Sequence, residues 1–229
     1  MKGDAIYGSA LIAGALAGMM TMLMHPTGNQ LLADVQHMAP LGMAVHALAL
    51  VALPVSFFGA IGLSRVLGYG SNSGNGGNAA LAGLVAYGMA QLAVMIAAVA
   101  SGFLAPALAV QMVGTTGAEH DVAAALFHYT GAINQAFAKV FVIASSCAIL
   151  LWSATILTHG QLARAAGVLG AIVGALVLFA VLVGHLRLDV HGFGAVVLCQ
   201  GLWMVTVGVL LMRQTGAARL ASRAARKSS

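Results

Sequence analysis

Charged residues are scarce in this chain. Only 7% of its 229 residues are charged and 61% are hydrophobic, whereas soluble globular domains carry about 25% charged residues. The mean hydropathy is +0.97. This composition excludes an ordinary soluble domain and predicts an integral membrane protein whose first partner is the lipid bilayer.

Cysteine and aromatic residues are also few. The two cysteines, Cys147 and Cys199, lie in separate apolar runs, so we interpret them as small core residues rather than a disulfide or thiolate site. Glycine, in contrast, occurs 29 times. Since helices in lipid associate through close backbone contact, glycines at GxxxG spacing predict packing surfaces. The pairs are Gly14 with Gly18 and Gly170 with Gly174.

Several catalytic and binding motifs are missing. The chain has no GxSxG elbow, no glycine-rich phosphate loop after a strand, and no HExxH or paired-cysteine zinc motif, so nucleotide binding and serine hydrolysis are not expected. The basic segment 213–229 follows an apolar run. Beside a membrane such a segment fixes topology and contacts anionic lipid headgroups, so no nucleic-acid partner is expected.

The apolar runs define the fold class. A hydrocarbon core about 30 Å thick requires about 20 helical residues, and six windows of about that length occur, at 5–24, 41–63, 79–104, 131–157, 163–184 and 192–212. We therefore expect an all-α, six-transmembrane-helix bundle forming a single domain over residues 1–212, followed by a cytoplasmic tail at 213–229. The first window is interpreted as a retained helix, because Asp4 interrupts the basic region that a signal peptide requires.

Local signals add detail within this plan. Pro54 is expected to bend the second span, and the Gly/Ser/Asn-rich stretch 68–78 to form a flexible tether. Thr116 and Glu119 have capping-box spacing and predict a helix start. Gly131 is expected to allow a bend between an interfacial segment and the fourth span.

The basic residues predict the orientation. If both termini are cytoplasmic, eight of the ten Lys and Arg residues lie on the inner side, as the positive-inside rule requires. Arg187 lies outside, and Lys139 lies within a span. We expect both termini in the cytoplasm and a location in a bacterial inner membrane.

Histidines are concentrated on the opposite side. In this topology seven of the eight histidines fall near the outer face. Imidazole is a ligand for Cu, Fe and Zn, and two facing histidines can also ligate haem, so the leading hypothesis is a transition-metal or haem site with a redox or metal-handling role. The candidate metal ligands are His25, His46, His128, His191, His185, Asp121 and Asp189, with Lys139 and Gln135 reaching the site from below. His37 and His120 are interpreted as interface residues.

Two other classes remain open, and no catalytic residue is assigned. Asp121, His128, Gln135, Lys139 and Ser146 form a polar stripe at helical spacing. Such a stripe is expected to face the bundle interior or a wet cavity, where it would line the half-channel of a proton-coupled small-solute transporter. Alternatively, the chain is an accessory subunit of a larger membrane complex or a homo-oligomer, whose polar and glycine-rich faces match a partner.

Overall fold

The computed structural model describes residues 2–25, 32–69, 74–113, 115–160 and 162–227, with side chains for 5–25, 38–68, 76–113, 115–160 and 162–214. These residues form helices and no strand. In chain order the elements are α1 (Lys2–Leu23), α2 (Leu32–Tyr69), α3 (Gly74–Val99), a π-helical turn (Ala100–Leu104), α4 (Ala105–Met112), α5 (Ala118–His159), α6 (Arg164–Leu182) and α7 (Val190–Lys227).

Six segments are long and apolar enough to cross a membrane. They are Ala5–Leu23, Met38–Gly68, Gly76–Met112, Ala118–His159, Arg164–Leu182 and Val190–Gln214. The predicted six-helix membrane bundle is therefore confirmed, and its helices are in contact with lipid. The third span extends past its predicted end at residue 104, because the chain continues through the π-helical turn into α4.

The helix boundaries bear on four local predictions. Residues 68–69 belong to α2 and residues 74–78 to α3, so the flexible tether predicted at 68–78 is wrong at both ends, and residues 70–73 lie outside the described residues. The helix start predicted from Thr116 and Glu119 is confirmed, since α5 begins at Ala118, but the capping box does not form: the N-cap is Gly117, at φ 64°, and no described side chain caps it. Helix α5 is continuous through Gly131, and the bend expected there stays a prediction. Helix α2 likewise runs through Pro54.

Two tryptophans form the centre of the core. The rings of Trp152 and Trp203 stack at 6.3 Å with an interplanar angle of 10°, and both side chains are fully buried. Trp152 Nε1 donates to Ser64 Oγ at 3.0 Å and to the Ala80 carbonyl at 3.2 Å. Trp203 Nε1 donates to the Ala166 carbonyl at 2.9 Å. Each indole N–H is thus paired, as burial in an apolar core requires.

The predicted glycine packing surfaces are confirmed at three of four positions. A Cβ on Gly14 would collide with Ser56 of α2, and one on Gly170 would collide with Ser153 and Trp203. Gly174 packs against Leu150 of α5, whose Cγ would lie 2.9 Å from an added Cβ. Gly18 differs, since no described atom lies within 4 Å of its Cβ position.

The helices differ greatly in length. Helix α6 has 19 residues, about 28 Å, and α5 has 42 residues, about 63 Å. Gln135 of α5 donates to the carbonyl of Leu188, beyond the end of α6, at 2.9 Å. The part of α5 before Gln135 therefore extends past α6, on the same end of the bundle as His25 and His46. We call this end the histidine end.

The opposite end, which we call the basic end, contains the start of α1 and the end of the α7 span. There Arg65 Nη1 donates to the Tyr7 hydroxyl at 2.9 Å, and Ser9 Oγ donates to Met212 Sδ at 3.7 Å. Helix α7 continues beyond this span to Lys227. The segment predicted as a cytoplasmic tail is therefore helical through residue 227.

Candidate functional site

The third span changes its hydrogen-bond register close to the histidine end. Pro106 lies in the first turn of α4; it has no N–H, and its ring would clash with the carbonyl four residues earlier, that of Gly102. The chain accommodates this with the π-helical turn, in which the Ala105 N–H donates to the Ala100 carbonyl. Turns of this kind occur often at functional sites. This one presents Ser101 and Gly102 toward α2.

His46 of α2 lies against this turn. A Cβ on Gly102 would collide with the Cβ and ring of His46, so glycine is the residue that makes room for the imidazole. His46 is buried. Its Nδ1 lies 2.7 Å from the Gly42 carbonyl, and its Nε2 lies 2.8 Å from Ser101 Oγ. Both ring nitrogens are thus held by hydrogen bonds.

His25 faces His46 across the gap between α1 and α2. The two ring centroids are 5.1 Å apart, with an interplanar angle of 70°. These residues are separated by 21 positions along the chain, and the structure brings them together because α1 and α2 pack as neighbours. The predicted convergence of histidines from different helices therefore occurs for this pair.

A cavity of about 290 Å³ opens beside the pair, and we call it the histidine cavity. Helices α1, α2, α3, α5 and α7 all contribute to its wall. Its polar lining consists of Thr21, His25, His46, Ser101, Asn134, Gln135 and Asp189. Imidazole, hydroxyl, amide and carboxylate groups thus face one space at the end of the bundle.

A second cavity, the central cavity, continues from the first toward the middle of the bundle. It has a volume of about 120 Å³. Five residues line both cavities, namely Thr21, Met22, Ala49, Val94 and Phe193. The two cavities are therefore neighbouring parts of one space that extends inward from the histidine end.

The central cavity is mostly apolar, but five hydrogen-bonding side chains line it, namely Thr21, Ser56, Tyr87, Gln91 and Gln200. The Tyr87 hydroxyl is hydrogen-bonded to Ser56 and Gln91, and Gln200 Nε2 donates to Ser146 Oγ at 3.1 Å. Gln91 Oε1 is buried without a hydrogen-bond partner among the described residues. An unsatisfied buried acceptor costs about 1–3 kcal/mol, and Gln91 is one of the residues that line this cavity.

The other predicted metal ligands lie elsewhere. His128, His185, His191 and Asp121 are exposed and do not line the histidine cavity. The nearest ring to His128 is that of Phe127, at a centroid distance of 6.1 Å. The prediction that the α5 stripe faces the bundle interior is therefore wrong for Asp121 and His128, whose side chains are exposed, whereas Ala123 and Thr130 on the same part of α5 are buried.

Lys139 and Gln135 line a third cavity, at the surface. It has a volume of about 440 Å³ and also contains Arg187 and Asp189. Lys139 thus faces a surface cavity lined by polar and charged groups, and not the histidine cavity. Asp189 and Gln135 line both spaces.

The Asp189 carboxylate caps the start of α7. Its Oδ1 accepts a hydrogen bond from the Gly192 N–H at 2.9 Å. This bond holds the pKa of Asp189 below its ordinary value, with smaller contributions in the same direction from His191 and Arg187. Asp189 therefore presents an anionic carboxylate at the mouth of the histidine cavity at neutral pH.

Among the described side chains, no group of three or more His, Cys, Asp or Glu residues lies close enough to hold a metal ion. The side chains of His37 and Asp34 lie outside the described residues.

Sequence reasoning missed Ser101 and Gly102, for which Pro106 in an apolar run was the available signal. It also missed Gln91, whose signal was an isolated amide within a span.

Fold and site together define a polytopic membrane protein with an internal cavity that opens at one end of its bundle. Comparison with known proteins gives no match: no family model, no curated protein and no solved structure matches this chain. Its function is therefore inferred from the geometry of the site alone.

Proposed function

We propose that this chain is a proton-coupled carrier of a small solute, with the histidine and central cavities as its half-channel. The observation that supports this most directly is the hydrogen-bonded pair of His46 and Ser101 at the wall of a space that reaches from the histidine end into the bundle. The sequence predicted a transport pathway along the α5 stripe that includes Lys139. The half-channel proposed here does not include Lys139, because this residue lines a separate cavity.

The hydrogen bonds of His46 permit two protonation states in one geometry. The Gly42 carbonyl can only accept, so Nδ1 carries a proton in both states. When Nε2 is unprotonated, the Ser101 hydroxyl donates to it. When Nε2 is protonated it donates to Ser101 Oγ, whose own proton turns to the Ala97 carbonyl, 3.0 Å away. His46 can therefore gain and lose a proton while every polar group stays paired and no heavy atom moves.

The proposed orientation places the histidine end in the periplasm. Arg65, Arg164 and Arg213 all lie near the basic end, at the close of α2, the start of α6 and the end of the α7 span. Under the positive-inside rule this end is cytoplasmic, and the protein lies in a bacterial inner membrane. The half-channel then admits solute and protons from outside.

Cysteine labelling tests both the half-channel and its side. Both variants are made in a chain in which Cys147 and Cys199 are replaced by Ser. Ala49→Cys places the thiol at a position that lines both cavities. Val51→Cys places it on the same helix, at a position exposed on the surface of the bundle away from the cavities. A membrane-impermeant thiol reagent should modify Ala49→Cys in intact spheroplasts and leave it unmodified in inside-out vesicles. Equal labelling of both variants, or labelling of Ala49→Cys from the cytoplasmic side, overturns the half-channel.

Proton coupling is tested on reconstituted protein. Solid-supported membranes should give a transient current with at least one member of a panel of sugars, amino acids and aromatic alcohols. This current should disappear in His46→Ala and persist in His128→Ala, the matched control at an exposed histidine. Currents that survive in His46→Ala, or no current across the panel, contradict the proposal.

A metal centre is the second candidate, and the spacing of His25 and His46 favours it. With a metal–nitrogen bond of about 2.1 Å, each ring centre lies about 3.2 Å from the ion, so two imidazoles at a tetrahedral angle are about 5.2 Å apart. The observed separation is 5.1 Å. Axial haem ligands would be about 6.4 Å apart by the same estimate, so this geometry fits a single Zn or Cu ion better than haem.

One contact of His46 also suits a metal ligand, although an ion bound at Nε2 would replace the hydrogen bond to Ser101. Metal-binding histidines commonly donate their other ring nitrogen to a backbone carbonyl, as Nδ1 does here to Gly42. Titration with Zn²⁺ and Cu²⁺ separates the two candidates. Stoichiometric binding lost in His25→Ala and in His46→Ala but kept in His128→Ala supports a metal centre; binding that is equal in all three variants excludes it.

A further inference from the structure

We propose that the central cavity binds an uncharged molecule with an apolar ring and one hydroxyl group, which donates a hydrogen bond to Gln91 Oε1. The inference names the substrate class of the carrier described above and in that sense rests on it. Its support, however, comes from the central cavity and not from the histidines.

The size of the cavity sets the size of the ligand. An apolar cavity of about 150 Å³ admits benzene, and the central cavity has about 120 Å³ with the histidine cavity adjoining it. A single six-membered ring therefore fits if part of the molecule lies toward the shared wall of Ala49 and Val94. Leu11, Leu53 and Phe141 provide further apolar surface.

The polar groups of the cavity determine which functional group the ligand carries. The amide of Gln91 already bonds the Tyr87 hydroxyl, and because Gln91 Oε1 is unpaired among the described residues, its amide nitrogen is the atom that makes this bond. The remaining group is a pure acceptor. It selects a hydroxyl over a methyl group of the same size, since only the hydroxyl supplies a donor.

No charged side chain lines the central cavity. A carboxylate or ammonium group on the ligand would therefore be desolvated without a counter-ion, which is unfavourable in an apolar space. This excludes amino acids and organic acids as ligands at this position and favours phenols and cyclic alcohols.

The two tryptophans of the chain provide the readout. Trp152 lies 5.4 Å from Tyr87, measured between ring centroids, and Trp203 adjoins Met204, which lines the cavity. A brominated ligand in the cavity should quench the emission of both. The probes are 4-bromophenol and 4-bromotoluene, which differ only in a hydroxyl against a methyl group.

In detergent-purified protein we expect 4-bromophenol to bind about three- to tenfold more tightly than 4-bromotoluene, the ratio that one net hydrogen bond gives. Gln91→Leu should abolish this preference. Gln111→Leu, the same change at an exposed position in α4, should retain it. Equal affinity for both probes in the wild type, or an unchanged preference in Gln91→Leu, overturns the inference.

A second variant tests occupancy without altering any hydrogen bond. Gly18 lines the central cavity and has open space at its Cβ position, so Gly18→Leu should fold and fill the cavity. Quenching by both probes should then fall to the level set by detergent alone; persistent quenching contradicts binding at this position. If 4-bromophenol binds as expected while the His46-dependent current is absent, the binding site stands and proton coupling fails.

Discussion

Gly102→Ala is the substitution that tests most directly how the third span positions His46. An alanine Cβ at this position would collide with the Cβ and ring of His46, because the π-helical turn brings the two backbones together. Gly131→Ala is the matched control, since no described atom lies within 4 Å of its Cβ position. Both glycines lie in helices near the histidine end, so the two variants differ mainly in what the added methyl group contacts.

The expected difference follows from two opposing terms. Alanine is favoured over glycine in a helix by about 1 kcal/mol, and overpacking a tight contact costs about 1–3 kcal/mol. Gly131→Ala should therefore stabilise the protein by up to about 1 kcal/mol, whereas Gly102→Ala should range from neutral to about 2 kcal/mol destabilising. Free energies of unfolding should thus differ by about 1–3 kcal/mol, or about 2–12 °C in Tm for a chain of this length.

Thermal unfolding in detergent, followed by the emission of Trp152 and Trp203, measures this difference. The ¹⁵N spectrum of His46 in histidine-labelled protein gives an independent readout, because only Gly102→Ala should alter its hydrogen bonds to Gly42 and Ser101. Equal stabilisation of both variants with an unchanged His46 signal would refute the close contact, and with it the role assigned to the π-helical turn.

Three further predictions concern the core and the charged groups. Trp152→Phe removes the indole N–H that bonds Ser64 Oγ and should lower the free energy of unfolding by about 1–3 kcal/mol in denaturation experiments, because a buried hydroxyl loses its donor. Lys139→Met should leave the His46-dependent current unchanged, whereas a pathway along the α5 stripe predicts its loss. Hydrogen bonding to Gly192 lowers the folded-state pKa of Asp189, so this carboxylate stabilises the fold above about pH 4, and the contribution is lost as the pH falls through the folded-state pKa. Asp189→Asn should therefore reduce the decrease in Tm between about pH 6 and pH 3, and an unchanged decrease would contradict the capping bond.

The six spans could be predicted because span recognition depends on local composition. Each apolar window is visible without knowledge of its neighbours, and the bilayer fixes the length that matters. The depth of His25 and His46 in the membrane was predicted in the same way, from their positions within the apolar windows. What depth does not specify is the direction in which a side chain points around its helix. His128 lies at the same end of the bundle as His25 and His46, but its side chain is exposed and does not line the histidine cavity.

The rest of the site depended on tertiary contacts. Pro106 removes a backbone donor, but whether a helix responds by ending, bending or widening into a π-helical turn is decided by the helices around it. Here the wide turn receives His46, and Gly102 was therefore not recognisable as part of a site. Gln91 was missed for a related reason: an isolated amide in a span can pair with a neighbouring side chain or remain unpaired in a cavity, and the sequence pattern is identical.

The glycines explain why the cavity opens at one end and not at the other. At the basic end the helices are in tight contact: an added Cβ on Gly8 would lie 2.6 Å from the Gly208 carbonyl, and one on Gly59 would lie 2.6 Å from the backbone nitrogen of Leu11. Toward the histidine end, Gly18 and Gly42 have no described atom within 4 Å of their Cβ positions. Gly18 lines the central cavity, so the open space at its Cβ position is part of that cavity. In the carrier we propose, release of a solute at the basic end requires these close glycine contacts between the helices to separate.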